Sequence, residues 1–490
     1  MKIKERFCGI LIHPTSFNSP YGIGDLGQEA RDTIASLATT GIKLWQILPL
    51  GPTGYGDSPY AARSSFAGNE LLIDLRQIEG AELPEDCSDR SARVDYTWVY
   101  ANKLVLLKKS AANWLNLHSS DSAYLDFVSE NSWWLDDYAL YQCLVNRFND
   151  SRWYVWKKDI RDRKPDALEH WKKELSEEIN IYKTLQYFFY TQWNALHEYA
   201  NGLGIKIIGD LPIFVAGDSV DVWTNRQLFK IDKNGNQKAG AGVPPDAFSP
   251  TGQLWGNPVY NWKEHEKDDF AWYRKRVEMT LKLVDIVRID HFRGLESYWE
   301  VPALSPDASY GKWVKGPGMK LVKHLKGLNI IAEDLGVITP EVEKLLEDSG
   351  FPGMKVLQFA FDLNDGFLNT DNYYLPFNYE YNCAAYTGTH DNDTSRSWFG
   401  NLSDSYRDIV RRFLQCPDED VVWQMMRCLL ASNAKYVVFP MQDLMDLGGE
   451  ARMNAPSTVT SCNWSWRMNP ADLESWRLDR LREYISIYGR

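Results

Sequence analysis

The sequence contains no run of Lys or Arg longer than three residues, and its 54 basic side chains are outnumbered by 66 acidic ones, for a formal net charge of −12. Such a chain repels a phosphate backbone, which excludes nucleic acid as an expected partner. There is no span of about 20 apolar residues, so a membrane-crossing helix and a membrane partner are excluded as well. Met1-Lys2-Ile3-Lys4-Glu5-Arg6 leads directly into a strand-like segment without the apolar stretch of a signal peptide. The seven cysteines (Cys8, Cys87, Cys143, Cys383, Cys416, Cys428, Cys462) are scattered, odd in number and free of CxxC spacing, so neither a disulfide framework nor a zinc knuckle is indicated. A reducing, cytoplasmic location is expected. No HExxH or EF-hand spacing occurs, and no metal is expected. Low-complexity tracts and internal repeats are also missing.

What is present is the composition of an ordinary folded protein, 44% apolar and 24% charged over 490 residues, with an unusual 20 Trp and 26 Tyr. Flat aromatic side chains fill cores, and they also suit the apolar faces of sugar rings. Eight short segments rich in β-branched or apolar residues read as strands: 8–13, 44–49, 205–212, 285–290, 329–334, 355–361, 384–390 and 436–440. Helical periodicity fills the later gaps, at 269–284, 318–328, 340–349, 403–414 and 421–433. Eight strand–helix units predict an α/β fold closed as a (β/α)8 barrel, with residues 1–490 forming a single catalytic barrel domain. The gap between the second and third strands is too long for one crossover. A mostly helical inserted subdomain is expected there, at about residues 67–200.

In a barrel of this kind the strand C-termini converge on one face, and here they are acidic. The third closes with Asp210, the fourth with Arg288-Ile289-Asp290-His291, the fifth with Glu333-Asp334 and the seventh with Thr389-His390-Asp391-Asn392-Asp393. Arg288 and Asp290 are two apart on a strand and share a face, so the guanidinium is expected to keep Asp290 ionised. An ionised carboxylate opposite a carboxyl that keeps its proton is what breaking a glycosidic bond requires, with roughly 5–5.5 Å between them in retaining enzymes. Asp290 suits the nucleophile and Glu333 the acid/base, while Asp391 beside His390 suits contacts to sugar hydroxyls and to developing positive charge. Any single acid after a strand is more often a cap or turn residue, and Asp334 and Asp393 are read that way. Four acidic strand ends in one chain are harder to explain as independent caps.

Several segments carry a family resemblance. They are Gly9–Ser16 with Pro20–Gly27, Leu44–Tyr60, Gly209-Asp210-Leu211-Pro212-Ile213, Gly242–Asp246, Gln253–Pro258, Val287–Gly294, Ala332–Gly336 and Gly388–Asn392. In this order they resemble the amylomaltases, or disproportionating enzymes, of glycoside hydrolase family 77. The resemblance implies a cytoplasmic 4-α-glucanotransferase acting on maltooligosaccharides and other α-1,4-glucans, without metal or organic cofactor. It implies Asp290 as nucleophile, Glu333 as acid/base and Asp391 as transition-state stabiliser. It adds Tyr60, Asp210, Arg288 and His390 around the scissile bond, Trp255 and Asn257 on a loop from Pro244 to Pro258 overhanging the site, and Tyr55 in a more remote glucan-binding patch. The chain departs from the family pattern at Ser457 and Cys462, where glycines are expected.

Gly22-x-Gly24-x-x-Gly27 follows the first strand and satisfies a dinucleotide fingerprint. Its spacing from the strand is wrong for the tight turn, and the second strand ends in Leu48-Pro49 rather than an acidic ribose ligand. A non-catalytic glucan-binding protein has no need of Glu333. An α-amylase-like hydrolase has the same strand-end chemistry with water as acceptor, and that chemistry does not separate hydrolysis from transfer.

Overall fold

The computed structural model describes residues 5–83, 91–245, 249–364 and 366–490. Eight short strands, β1 (Phe7–Leu11), β2 (Leu44–Gln46), β3 (Lys206–Leu211), β4 (Ile286–Ile289), β5 (Ile330–Ala332), β6 (Gly353–Val356), β7 (Cys383–Tyr386) and β8 (Tyr436–Pro440), form one parallel sheet. Its order is β6-β7-β8-β1-β2-β3-β4-β5, which is sequential around a ring, with helices outside it: the (β/α)8 barrel. The period of two along each strand sorts the side chains into two layers. Leu11, Leu44, Ile208, Ile286, Ile331, Met354, Ala384 and Val438 cluster inside the barrel, whereas their neighbours Ile10, Trp45, Ile207, Val287, Ile330, Ala385 and Val437 join the larger core beneath the helices. Towards the C-terminal ends of the strands the interior turns polar, first with the Tyr386 hydroxyl donating to Gln46 at 2.8 Å, then with Asp210 and Arg288 paired in register across β3 and β4.

The ring closes between β5 and β6 without a regular ladder. The Ala332 N–H donates to the Pro352 carbonyl at 2.8 Å, and the Met354 N–H donates to Asp334 Oδ1 at 2.5 Å. The Asp334 carboxylate thus takes the place of a strand carbonyl, a more specific role than the cap or turn expected of it. Burial pushes its carboxyl above the usual range, and Lys355 opposes the shift. Gly353 makes the approach possible, because a Cβ there would lie 2.8 Å from the same carboxylate. This seam also displaces the sixth strand from its expected span of 355–361. It starts at Gly353 and stops at Val356, and Leu357–Phe359 coil into a 3-10 turn with Leu357 fully buried. The apolar run there reads as strand because burial in either conformation needs the same residues.

Between β2 and β3 lie the long helices Lys103–His118, Ser122–Phe148 and Ser176–Gly202. Asp121 caps the second by accepting the Tyr124 N–H at 2.9 Å, and Asn149 ends it in the left-handed conformation. Ser176–Gly202 packs on β3, on Gln28–Ala38 and on Ala271–Leu283, with Trp193 against Trp45 and its indole N–H donating to the Leu283 carbonyl. A four-stranded antiparallel sheet, Gln253–Pro258, Ala239–Val243, Ser297–Pro302 and Lys312–Lys315 in spatial order, stands beside the barrel. The segment with Trp255 and Asn257, expected as a loop, is therefore the edge strand of that sheet. Gly242 permits the pairing, since a Cβ there would meet the Gln253 carbonyl at 2.2 Å. Among the described residues no helix is long and apolar enough to cross a membrane.

Replacing Asp334 with Ala leaves the buried Met354 N–H unpaired at the seam and should lower stability by about 1–3 kcal/mol. Chemical denaturation followed by far-UV circular dichroism measures this, and an unchanged midpoint would mean that the seam holds without the carboxylate.

Candidate active site

Arg288 lies almost entirely buried inside the barrel, and its charge has to be met there. Its Nε and Nη2 donate to the two carboxylate oxygens of Asp210 at 3.0 and 2.6 Å, and Nη2 also reaches Asp290 Oδ1 at 3.0 Å and the Tyr60 hydroxyl at 3.3 Å. The Tyr60 hydroxyl in turn donates to Asp210 Oδ2. Burial, and next the charge of Asp210, push Tyr60 well above its usual value, so it keeps its proton and acts as donor.

Asp290 and Glu333 each stand one residue beyond the last paired residues of β4 and β5, Ile289 and Ala332. The Glu333 N–H donates to the Ile289 carbonyl at 2.9 Å, which sets the two carboxyl-bearing residues level. Burial pushes both carboxyls up. For Asp290 the charges of Asp210, Glu333 and Asp391 add to that rise and the Arg288 guanidinium opposes it. Glu333 is pushed up to about 7 by burial, against Arg288 and two backbone donors. Those donors are the N–H groups of Leu335, at 2.7 Å from Oε1, and of His291, at 2.6 Å from Oε2. The surroundings differ in kind. Asp290 holds a guanidinium and 28% of its side chain faces solvent, whereas Glu333 is buried on backbone amides. Asp290 thus sits among more negative charge than the expectation of a carboxylate ionised by Arg288 alone allowed for.

Asp391 is the most open of the acids, with its side chain 46% exposed. Asn454 Nδ2 donates to its Oδ1 at 2.6 Å, Arg452 Nη2 donates to its carbonyl at 2.6 Å, and the Asn454 N–H bonds the His390 carbonyl at 3.1 Å. His390 is buried, and burial lowers its pKa against the opposing charge of Asp391. Its ring stacks on Tyr60 with centroids 5.2 Å apart, and Trp464 tilts against both at 5.6 and 5.8 Å. Behind this loop the buried Asp443 accepts from the Thr387 hydroxyl and from the Ser395 N–H and hydroxyl, joining the two ends of the segment that carries His390 and Asp391.

Tyr60, Asp210, Arg288, Asp290, Glu333, His390 and Asp391 therefore converge on one end of the barrel. Trp255 approaches from the antiparallel sheet and meets the His291 ring edge to face at 4.9 Å, and Asn257 follows on the same strand. Tyr55 stands apart in a 3-10 turn, 74% exposed. Asp246, from one of the quoted motifs, lies outside the described residues. Sequence reasoning passed over Arg452, Asn454 and Trp464, whose only signal is proximity in sequence to the departures at Ser457 and Cys462. It also gave no role to His291. Among the described residues no group of three or more His, Cys, Asp or Glu side chains is arranged to hold a metal ion.

A family model described as 4-alpha-glucanotransferase, of glycoside hydrolase family 77, matches residues 12–473. The chain is 45% identical to a 4-alpha-glucanotransferase of Thermus thermophilus, over 98% of each protein. It is 44% identical to one of Synechocystis, over 100% of this chain and 99% of the relative. Its fold is similar to that of an amylomaltase from Streptococcus agalactiae solved in complex with acarbose, at a TM-score of 0.95 and 40% identity, covering 99% of this chain and 100% of the other.

The two departures from the family pattern differ physically. Ser457 lies in the left-handed region at φ 63°, where glycine is unstrained, whereas Cys462 has no positive φ and nothing in its backbone asks for glycine. Ser457→Gly should therefore raise stability by up to about 1 kcal/mol, the relief of left-handed strain offset in part by a more flexible unfolded chain. Thermal unfolding is the check, and a fall in the midpoint would show that the unfolded state dominates.

Proposed function

The chain belongs to the 4-alpha-glucanotransferase family, and on that premise we propose that it transfers α-1,4-glucan segments to the 4-hydroxyl of glucose or another glucan by a retaining double displacement. The observation that carries this reading is the pair Asp290 and Glu333, level on adjacent strands in unlike surroundings. Arg288 bonds Asp290 directly and leaves Glu333 to backbone amides, so the charge resides on Asp290 and the proton on Glu333. A carboxyl held up to about 7 is poised to give a proton and take it back.

In the first step an oxygen of Asp290 attacks the anomeric carbon while the bond to the leaving 4-oxygen breaks, and Glu333 passes its proton to that oxygen. The glycosyl–Asp290 ester forms and the shortened glucan leaves with a free 4-hydroxyl. In the second step the 4-hydroxyl of an acceptor gives its proton to Glu333 and attacks the same carbon, which breaks the ester and restores both carboxyls. Asp391, oriented by Asn454, contacts the hydroxyls of the reacting ring and faces the positive charge that grows on it. Tyr60, Asp210, Arg288 and His390 shape the floor beneath that ring. Trp255 and Asn257 provide an acceptor-side face and a polar contact, and Tyr55 belongs to a more remote glucan-binding patch. Well-oriented acceptors reach effective molarities of about 10⁵ M or more, so a bound sugar outcompetes water for the intermediate.

Maltotriose should accordingly give glucose together with maltopentaose and longer chains, with the total of reducing ends nearly constant. Asp290→Asn, Glu333→Gln and Asp391→Asn should each abolish turnover with circular dichroism unchanged, the nucleophile variant losing more than about 10⁴-fold. Chromatography of the products decides between acceptors: a rise in reducing ends in step with glucose would make the enzyme a hydrolase, and an active Asp290→Asn would overturn the mechanism.

A further inference from the structure

His291 follows Asp290 and turns the chain out of β4 in the left-handed region, at φ 51° and ψ 48°. That region is uncommon for a residue other than glycine, although histidine enters it more often than most. The consequence of the turn is directional. The His291 N–H points back to Glu333 Oε2 at 2.6 Å, and the next N–H, of Phe292, donates to the Glu333 carbonyl at 2.9 Å. Two successive amides thus grip one residue by its side chain and its main chain.

Packing of the ring holds the turn. His291 is 8% exposed, its Nε2 has no hydrogen-bond partner among the described residues, and Trp255 meets its ring at 88° with centroids 4.9 Å apart. On another side stands Gly294, where a Cβ would come within 3.0 Å of the imidazole Cδ2. Contacts on two sides of the ring, with Trp255 and beside Gly294, help to set its rotamer. Trp255 belongs to the antiparallel sheet, so the turn is braced from outside the barrel.

We infer that His291 is a positioning residue for the reaction: its left-handed backbone, braced by the ring contact with Trp255, aims the amide that holds the Glu333 carboxyl in place. This rests on the reading of Glu333 as acid/base. The groups that face Glu333 are Arg288 and Asp290 from the end of β4, Asp334 next to it in the chain, and the hydroxyl of Tyr374, beside the amide donors of His291 and Leu335. Burial pushes the carboxyl up and the amides oppose that rise, because they favour the charged form. Glu333 must be protonated to act, so the alkaline limb of kcat/KM reports the loss of its proton. Without the His291 amide the carboxylate is less favoured, the proton is held more tightly and the limb moves to higher pH.

The test is the pH profile of kcat/KM for maltotriose in His291→Val, His291→Gly and Trp255→Ala, with Glu333→Gln as reference. Valine is excluded from the left-handed region, so His291→Val should lower kcat by about tenfold or more and move the alkaline limb up by about one pH unit. Glycine tolerates the turn but loses the brace, so His291→Gly should move the limb by less than half as much, and Trp255→Ala should move it in the same direction. Equal shifts in the valine and glycine variants, or an unmoved limb in Trp255→Ala, would overturn the inference. Should His291→Val fail to fold, His291→Gly and Trp255→Ala still decide it. An active Glu333→Gln would instead overturn the acid/base reading beneath it, so the two failures are distinguishable.

Discussion

The arrangement at the mouth of the barrel depends on one buried cation. A guanidinium removed from water has to be matched by charge and by hydrogen-bond acceptors, and removing a partner from such a group costs far more than the net worth of the pair. Arg288 meets this constraint by binding Asp210 with two N–H groups and reaching Asp290 and Tyr60 with the same fork. Each partner then constrains another element. Asp210 is fixed at the end of β3, Asp290 at the end of β4, and Tyr60, held by its hydroxyl, presents its ring to His390 and Trp464. Residues from separate parts of the chain, Tyr60, Asp210 and Asp290 directly and His390 and Trp464 through Tyr60, are thereby held around a single charge that does not titrate in the working pH range.

Backbone amides form the second scaffold. Among the described residues Glu333 receives no side-chain donor and rests on the N–H groups of His291 and Leu335, while its neighbour Asp334 faces the other way and accepts from Met354 at the barrel seam. Consecutive acids at one strand end thus do different work, one at the site and one in closing the ring. The division follows from the alternation of side chains along an extended chain. Closure of the barrel and position of the acid are linked through a single dipeptide, which explains why β5 can be as short as Ile330–Ala332 without losing its place.

A third contribution comes from chain far removed in sequence. Arg452, Asn454 and Trp464 follow the last barrel strand, yet they bond the main chain and carboxylate of Asp391 and pack on the Tyr60–His390 stack. Asn454 bonds Asp391 with an amide nitrogen and His390 with its main chain, so the half-exposed carboxylate is oriented although solvent reaches it. Asp443 ties both ends of the same loop from beneath. Such a loop is tied at both ends by hydrogen bonds and open on its outer side, as the proposed transfer to an acceptor sugar requires.

The sequence by itself determined the number and order of the barrel strands, because a strand buried on both faces needs a short apolar run bounded by turns, and that pattern is visible at each of them except the sixth, whose apolar run lies mostly in the turn after Val356. It also determined the acidic strand ends, since Asp210, Asp290, Glu333 and Asp391 lie at or shortly after the ends of those runs. Charge, scarce cysteine and the lack of long apolar spans set the class of protein for the same reason: they are sums over the chain and need no coordinates. What only the tertiary structure decided lies in contacts that no local pattern encodes. The edge strand at Gln253–Pro258 exists because a glycine across the sheet lets backbone approach backbone. Asp334 became a seam residue because β6 happens to begin beside it, and a carboxylate after a strand looks the same whether it caps a turn or closes a barrel. His291 and Asn454 carried no signal of their own, for their parts are played by a backbone amide and a side-chain amide whose partners stand 42 and 63 residues away. Local propensity and periodicity reach only a few neighbours, and a site assembled across such distances is fixed by burial and charge pairing in the folded state.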